Sequence, residues 1–150
     1  RAGREQEGRV IIQTYNPDNF SIEYAKKQDY KLFFNTEIML RKSLKYPPFC
    51  DIIMLGVTSE DEIEVQKIAN LLHEFLKQKI INENAKILLY KPVPSPIEKI
   101  KNKFRWRIII KCKFGDDIIE LINETIDEFN KMKKKDSSKI IIDLNPNNML

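Results

Sequence analysis

The chain has 150 residues, 42% of them hydrophobic and 32% charged, with 26 Lys or Arg against 22 Asp or Glu and a net charge of +4. That length suffices for one good core, or for one domain with part of another, and the composition is that of an ordinary soluble globular protein. Apolar runs stop at strand length, short of the ~20 residues of a membrane span; no secretory leader opens the chain; and two cysteines without a CxxC pair, with one histidine, leave no readable zinc site and fit a reducing cytoplasm.

The chain begins with Arg1 rather than Met, as an excised piece would. Arg1-Ala2-Gly3-Arg4 is followed by a Gly8-terminated turn and a β-branched segment, Arg9 to Thr14, which predicts a strand. Tyr15-Asn16-Pro17-Asp18 is a turn. From about Phe20 to Leu44 the pattern is helical, with one break expected near Gln28-Asp29 and an apolar stripe of Phe33, Phe34 and Ile38. Tyr46-Pro47-Pro48-Phe49 ends that helix, because a residue before proline is pushed out of the α region. A domain boundary is expected here, giving segments 1–46 and 47–150.

Beyond it, elements alternate. Ile52–Val57 predicts a strand, and Ser59 with Glu62 a capping box for a helix from about Asp61 to Lys79 burying Ile68, Leu71, Leu72, Phe75 and Leu76. Lys86–Tyr90 is a short strand and Phe104–Lys113 a longer one. Between them Pro92, Pro94 and Pro96 exclude helix and central strand and leave a stiff extended approach. Gly115 opens a helix to about Lys133 with Ile118, Ile119, Ile122, Ile126 and Phe129 inward, and Lys139–Leu144 is the last strand. The order β-α-β-β-α-β predicts an α+β, ferredoxin-like domain with both helices on one face of an antiparallel sheet.

Charge is concentrated between Lys91 and Lys113, where eight Lys or Arg face one acid, Glu98, so that the remainder of the chain is net acidic. A focused field of this kind steers anionic partners. Alternation puts Phe104, Trp106, Ile108, Ile110 and Cys112 on one face of a strand and Arg105, Arg107, Ile109, Lys111 and Lys113 on the other. A strand so divided belongs to a sheet covered on one side and open on the other. Lys99, Lys101, Lys103, Arg105, Arg107 and Lys111 form the expected DNA-contacting set. A solvated strand face is the bland reading of these cations, and for Trp106 the core is favoured over ligand contact. The lysines at 131 and 133–135 read as a solvated helix end.

Catalytic patterns are missing. There is no GxxxxGK[ST] loop, the four glycines are too scattered to cradle a nucleotide, and His73 has no Ser or Cys nucleophile in context. The carboxylates of Asp116, Asp117, Glu120 and Glu124 suit helix capping, so no catalysis is expected of this chain alone.

Short motifs add a resemblance. Arg1-Ala-Gly-Arg4 looks like the tail of the last motif of superfamily 2 helicases, QxxGRxGR. Gly8-Arg-Val-Ile-Ile-Gln-Thr-Tyr-Asn-Pro17, Lys27-Gln-Asp-Tyr30, Glu37 with Arg41, Tyr46-Pro-Pro-Phe49, Pro92-Val-Pro-Ser-Pro-Ile97, Phe104-Arg-Trp-Arg107 and Asp143-Leu-Asn-Pro146 resemble, in order and spacing, the C-terminal part of the PriA family of bacterial primosomal proteins.

The resemblance implies a replication-restart helicase that binds stalled forks, D-loops and single strands, unwinds DNA 3′→5′ with ATP and Mg²⁺, and works in the cytoplasm at the nucleoid. Its partners are the single-stranded-DNA-binding protein and other primosome proteins. It implies that Arg1 and Arg4 serve as arginine-finger-like nucleotide contacts at the end of a RecA-like lobe, with the Walker motifs and zinc cysteines upstream. It also implies a C-terminal domain similar to ribosomal protein S10 that contacts branched DNA. A free-standing S10-like protein is disfavoured, since the first 45 residues have no role in one. The competing class is a protein-interaction module whose basic face docks the helicase core or the acidic tail of the single-stranded-DNA-binding protein. In the DNA reading, Tyr90, Phe104 or Trp106 is a candidate for stacking on an unpaired base.

Overall fold

The computed structural model describes residues 8–133 and 137–147. Arg1, Arg4, Lys134 and Lys135 lie outside the described residues. The chain divides into two compact units, one running to Leu40 and one from Arg41 onward.

The first unit holds α1 (Phe20–Lys27), and α2 (Tyr30–Ser43) begins in it. Asn19 caps α1 by accepting from the Ser21 amide at 2.9 Å. Gln28, in the left-handed region at φ 53°, ends α1, and Asp29 restarts the helix by accepting from the Leu32 amide at 2.9 Å. The break therefore falls where the sequence puts it. Phe20 packs on Phe33, ring centroids 6.3 Å apart, yet no residue of either helix is buried.

The strand expected over Arg9–Thr14 is not formed. Val10 and Ile11 are 87% and 90% exposed. β-Branched residues favour extended backbone, but a strand exists only against a ladder partner, and the described residues give this segment none.

The second unit is α+β. It contains β1 (Asp51–Ser59), α3 (Glu62–Asn82), β2 (Leu88–Leu89), β3 (Val93–Ile100), β4 (Lys103–Cys112), α4 (Asp116–Met132) and β5 (Lys139–Leu144). The sheet is antiparallel with order β2-β4-β1-β5, and β3 also pairs with β4. β2 meets the end of β4 at Ile110 and Lys111, and β3 meets its start at residues 103–107. Thus β2 and β3 together border one side of β4, and β1 borders the other.

Ile53, Leu55 and Val57 from β1 and Ile108 and Ile110 from β4 meet Val65, Ala69, Leu72 and Leu76 of α3 and Ile122, Ile126 and Phe129 of α4 in one core. Each buried aliphatic side chain is worth about 1.5–3 kcal/mol. Phe75 and Phe129 join the helices with ring centroids 5.9 Å apart, and Lys79 bridges to Glu128 at 2.7 Å. The last strand is fastened by Asn145 from the Asp143-Leu-Asn-Pro146 motif. Its side chain accepts from the Ile52 amide at 2.9 Å and donates to the Asp51 carboxylate at 3.0 Å, while its own amide donates to the Ile52 carbonyl at 2.7 Å.

Several sequence expectations shift. The cap of α3 is Asp61, accepting from the Glu64 amide at 2.8 Å. Ser59 is the last residue of β1, and its hydroxyl bonds the Glu64 carboxylate instead. Leu71 is 49% exposed, because the buried stripe runs through Val65, Ile68, Ala69, Leu72 and Leu76 and leaves Leu71 at its edge. Ile119 is only half-buried in α4, and Thr125 takes an inward place by donating its hydroxyl to the Leu121 carbonyl. The side chain of His73 is only 13% exposed and lies 3.2 Å from the Glu74 carboxylate. The proline segment is strand β3, admitted because it lies on the border of β4 rather than between two strands.

Candidate nucleic-acid interface

Register decides which side chains share a face. Phe104, Trp106, Ile108, Ile110 and Cys112 of β4 turn toward the helices; Ile108, Ile110 and Cys112 are buried and Trp106 and Phe104 pack against the core. Trp106 thus takes the core role. Lys103, Arg105, Arg107, Ile109 and Lys111 alternate with them and share the opposite face.

Across the strands, cross-pairs build rows on that open face. Arg105 stands opposite Thr58, which stands opposite Lys139; Arg107, Gly56 and Ile141 form the next row; Ile109, Met54 and Asp143 the third. Gly56, in the middle row, has no side chain to fill the space between Arg107 and Ile141. A Cβ placed there would meet nothing closer than Ile141 at 4.0 Å. The result is a cleft of about 210 Å³ lined by Gly56, Arg105, Arg107, Ser95, Ile141 and Asp143 with neighbouring Met54, Thr58 and Trp106.

The six expected contact residues separate into three groups. Lys103, Arg105 and Arg107 share the open face toward the start of β4. Lys101 sits in the two-residue turn joining β3 to β4, and Lys99, opposite Phe104, lies on the helix side with its ammonium 4.5 Å from the centre of the Phe104 ring. Lys111 stands apart. It is 8% exposed, donates to the Leu44 carbonyl at 2.9 Å, and lies 3.8 Å above the Tyr46 ring and 5.5 Å from that of Tyr90. It pins the segment before β1 over that end of the sheet, which also buries Ile52, its neighbour across β1. The open face is therefore covered at the Lys111 end and accessible at the Arg105 end.

Lys139 belongs with the accessible cations, although the sequence does not single it out. Its place follows from the pairing of Thr58 with both Arg105 and Lys139, a register that the sequence of β5 alone does not carry. Helix α4 has the opposite charge. Asp116, Asp117, Glu120, Glu124, Asp127 and Glu128 are all exposed along it, against Lys131 alone. The acids of α4 and the cations of Lys103, Arg105, Arg107 and Lys139 thus lie on opposite sides of the core.

Two thiols lie at the covered end. Burial, followed by the charge of Asp51 and the nearby Cys50, pushes Cys112 up to about 11, and burial likewise raises Cys50. Neither thiol is activated toward nucleophilic chemistry. Among the described residues no three His, Cys, Asp or Glu stand together as a metal site, and no helix is long and apolar enough to cross a membrane.

Residues 42–147 match the family model described as the primosomal protein N C-terminal domain. Over 151 residues the chain is 32% identical to the replication restart protein PriA of Bacillus subtilis, covering 100% of this chain and 18% of that protein. It is also 32% identical to the replication restart protein PriA of Chlamydia muridarum, covering 97% of this chain and 19% of the relative. Among solved structures, the de novo designed protein Foldit4 superposes with a TM-score of 0.45 at 12% identity, covering 66% of this chain and 99% of that one. The chain thus spans about a fifth of the length of the curated relatives it matches.

Proposed function

The chain belongs to the family of the primosomal protein N C-terminal domain, and on that premise we propose that it is the DNA-binding end of a replication-restart helicase. In this reading its second unit recognises stalled or branched forks, while ATP hydrolysis and 3′→5′ unwinding belong to the longer protein. The observation that carries it is the open face of the sheet. Lys103, Arg105, Arg107 and Lys139 stand together there, with the acids of α4 on the far side of the core.

Mechanistically, the cations neutralise phosphates and release counterions, so affinity comes without base reading and falls steeply with salt. Guanidinium groups hold two phosphate oxygens at once, whereas lysines act as point charges. Lys111 serves the fold of the interface rather than the DNA, since its ammonium is occupied by Leu44 and Tyr46. The strand order β2-β4-β1-β5 with both helices on one face supports the ferredoxin-like, S10-like reading of the domain.

For the first unit we propose the end of a RecA-like lobe. The exposed apolar side chains of Tyr30, Leu32, Phe34 and Met39 support this, because a helical pair with no buried residue of its own needs a larger body to pack on. Arg1 and Arg4 would then face the nucleotide of that body; its ATP, Mg²⁺ and zinc are held by residues other than those described.

The test is binding of the chain to a labelled three-way fork, a plain duplex and a single strand, each at low and physiological salt. The expected result is binding that favours the fork and weakens steeply with salt. Arg105→Ala with Arg107→Ala should weaken binding and flatten the salt slope by ~0.9 for each phosphate no longer neutralised, with the melting temperature nearly unchanged. No binding to any of the three would hand the basic face to a protein partner such as the single-stranded-DNA-binding protein.

A further inference from the structure

The turn between β3 and β4 is unusually well built for a surface loop. Ile100 pairs with Lys103, leaving Lys101 and Asn102 as a two-residue connection, and both have left-handed backbone, at φ 48° and 61°. Two successive positive φ values make the turn whose twist matches that of the flanking strands, so the tip is a tight two-residue connection. Farther back, Pro94 and Pro96 hold β3 extended. Register jumps between them and the tip: Pro94 faces Trp106 while Lys99 faces Phe104, so four residues of β3 oppose the single Arg105. A bulge of that size bends the hairpin out of line with the rest of the sheet.

What the tip carries is also unusual. Ile100 is 41% exposed and shares the open face with Lys103, its cross-strand partner, and Ile97 is 47% exposed in the bulge. Exposed lysines at 99 and 101 flank Ile100. A solvated basic hairpin has no need of an apolar side chain at its end, and the cations around it make an apolar protein surface a poor match.

We propose that this hairpin is a wedge for the open end of a DNA base-pair stack, the place where paired strands become unpaired. Ile100 lies against the face of the terminal pair, and Lys99, Lys101 and Lys103 hold the phosphates of the diverging strands. The proposal rests on the DNA-binding reading above and adds to it the element that discriminates a junction. In continuous duplex each base face is already stacked, and opening a step costs about a few kcal/mol. At a junction one face is available without that cost. An aliphatic side chain covers it without reading its sequence, and lysines grip phosphates without reading bases. Junction preference therefore arises from shape.

The experiment compares the whole chain with Ile100→Ser and Ile100→Leu on a fork and on a continuous duplex of equal length, with 2-aminopurine in the terminal pair of the fork. The native chain should favour the fork and change the 2-aminopurine emission. Ile100→Ser should lower the fork-to-duplex affinity ratio about fivefold or more and abolish the emission change, and Ile100→Leu should retain both. Ile100 is 41% exposed, so both variants should fold, which their melting temperatures check. Equal affinity of the native chain for fork and duplex, or an Ile100→Ser variant with ratio and emission intact, overturns the wedge while DNA binding by the sheet stands. Failure of the native chain to bind either DNA removes both readings. If Ile100→Ser weakens an acidic peptide partner and leaves the fork untouched, the tip belongs to a protein.

Discussion

Lys111 shows how a residue type can mislead when its surroundings are unknown. In the sequence it continues a row of cations on one strand face, and in the structure it is the most buried of them, clasped by the Leu44 carbonyl and the Tyr46 ring. Lys111→Met should therefore lower stability in urea unfolding by on the order of 1–3 kcal/mol, by removing a charge-assisted hydrogen bond and a cation–π interaction. Its effect on fork affinity should be smaller than that of the Arg105 and Arg107 pair; an equal effect at unchanged stability would return Lys111 to the DNA. Cys112 offers a pH signature. Its folded value stands above the ordinary 9.0 at about 11, so the unfolded chain loses this proton first as pH rises. Stability should be intact below pH 9, fall between about 9 and 11, and fall less in Cys112→Val, as read by denaturant titration across that range.

At the level of elements, periodicity carries most of the fold. The two amphipathic helices, the break at Gln28 and the last strand, Lys139–Leu144, lie where spacing puts them, although the cap of α3 is Asp61 rather than Ser59. What escapes is what depends on partners. Arg9–Thr14 has strand composition but no ladder, and the proline segment is a strand because β4 offers it a border position. Leu71 and Ile119 flank buried stripes whose centre is set by the packing of α3 and α4 on the sheet. The basic face is legible through the alternation of β4, whereas Lys139 and the Gly56 cleft require a register across three strands. The hairpin tip is legible only as charge; its turn geometry and the exposure of Ile100 come from pairing.

At the scale of the second unit, the opposition of α4 and β4 has a consequence in time rather than in affinity. The acid-rich α4 on one side of the core and the cations of β4 on the other contribute a dipole, and in the field of a polyanion a dipole feels a torque before any contact is made. On the proposed DNA-binding reading, collisions with DNA that begin with α4 foremost should be turned round or repelled, and a larger share of encounters should arrive with the Arg105 face leading. Glu120→Lys with Glu124→Lys should raise general attraction to DNA yet weaken that alignment. Stopped-flow association rates should then depend more weakly on facing, seen as a smaller rate penalty for Arg105→Ala in this background than in the native one. The acids of α4, on the far side of the core from the Arg105 face, would then set the direction from which the protein arrives.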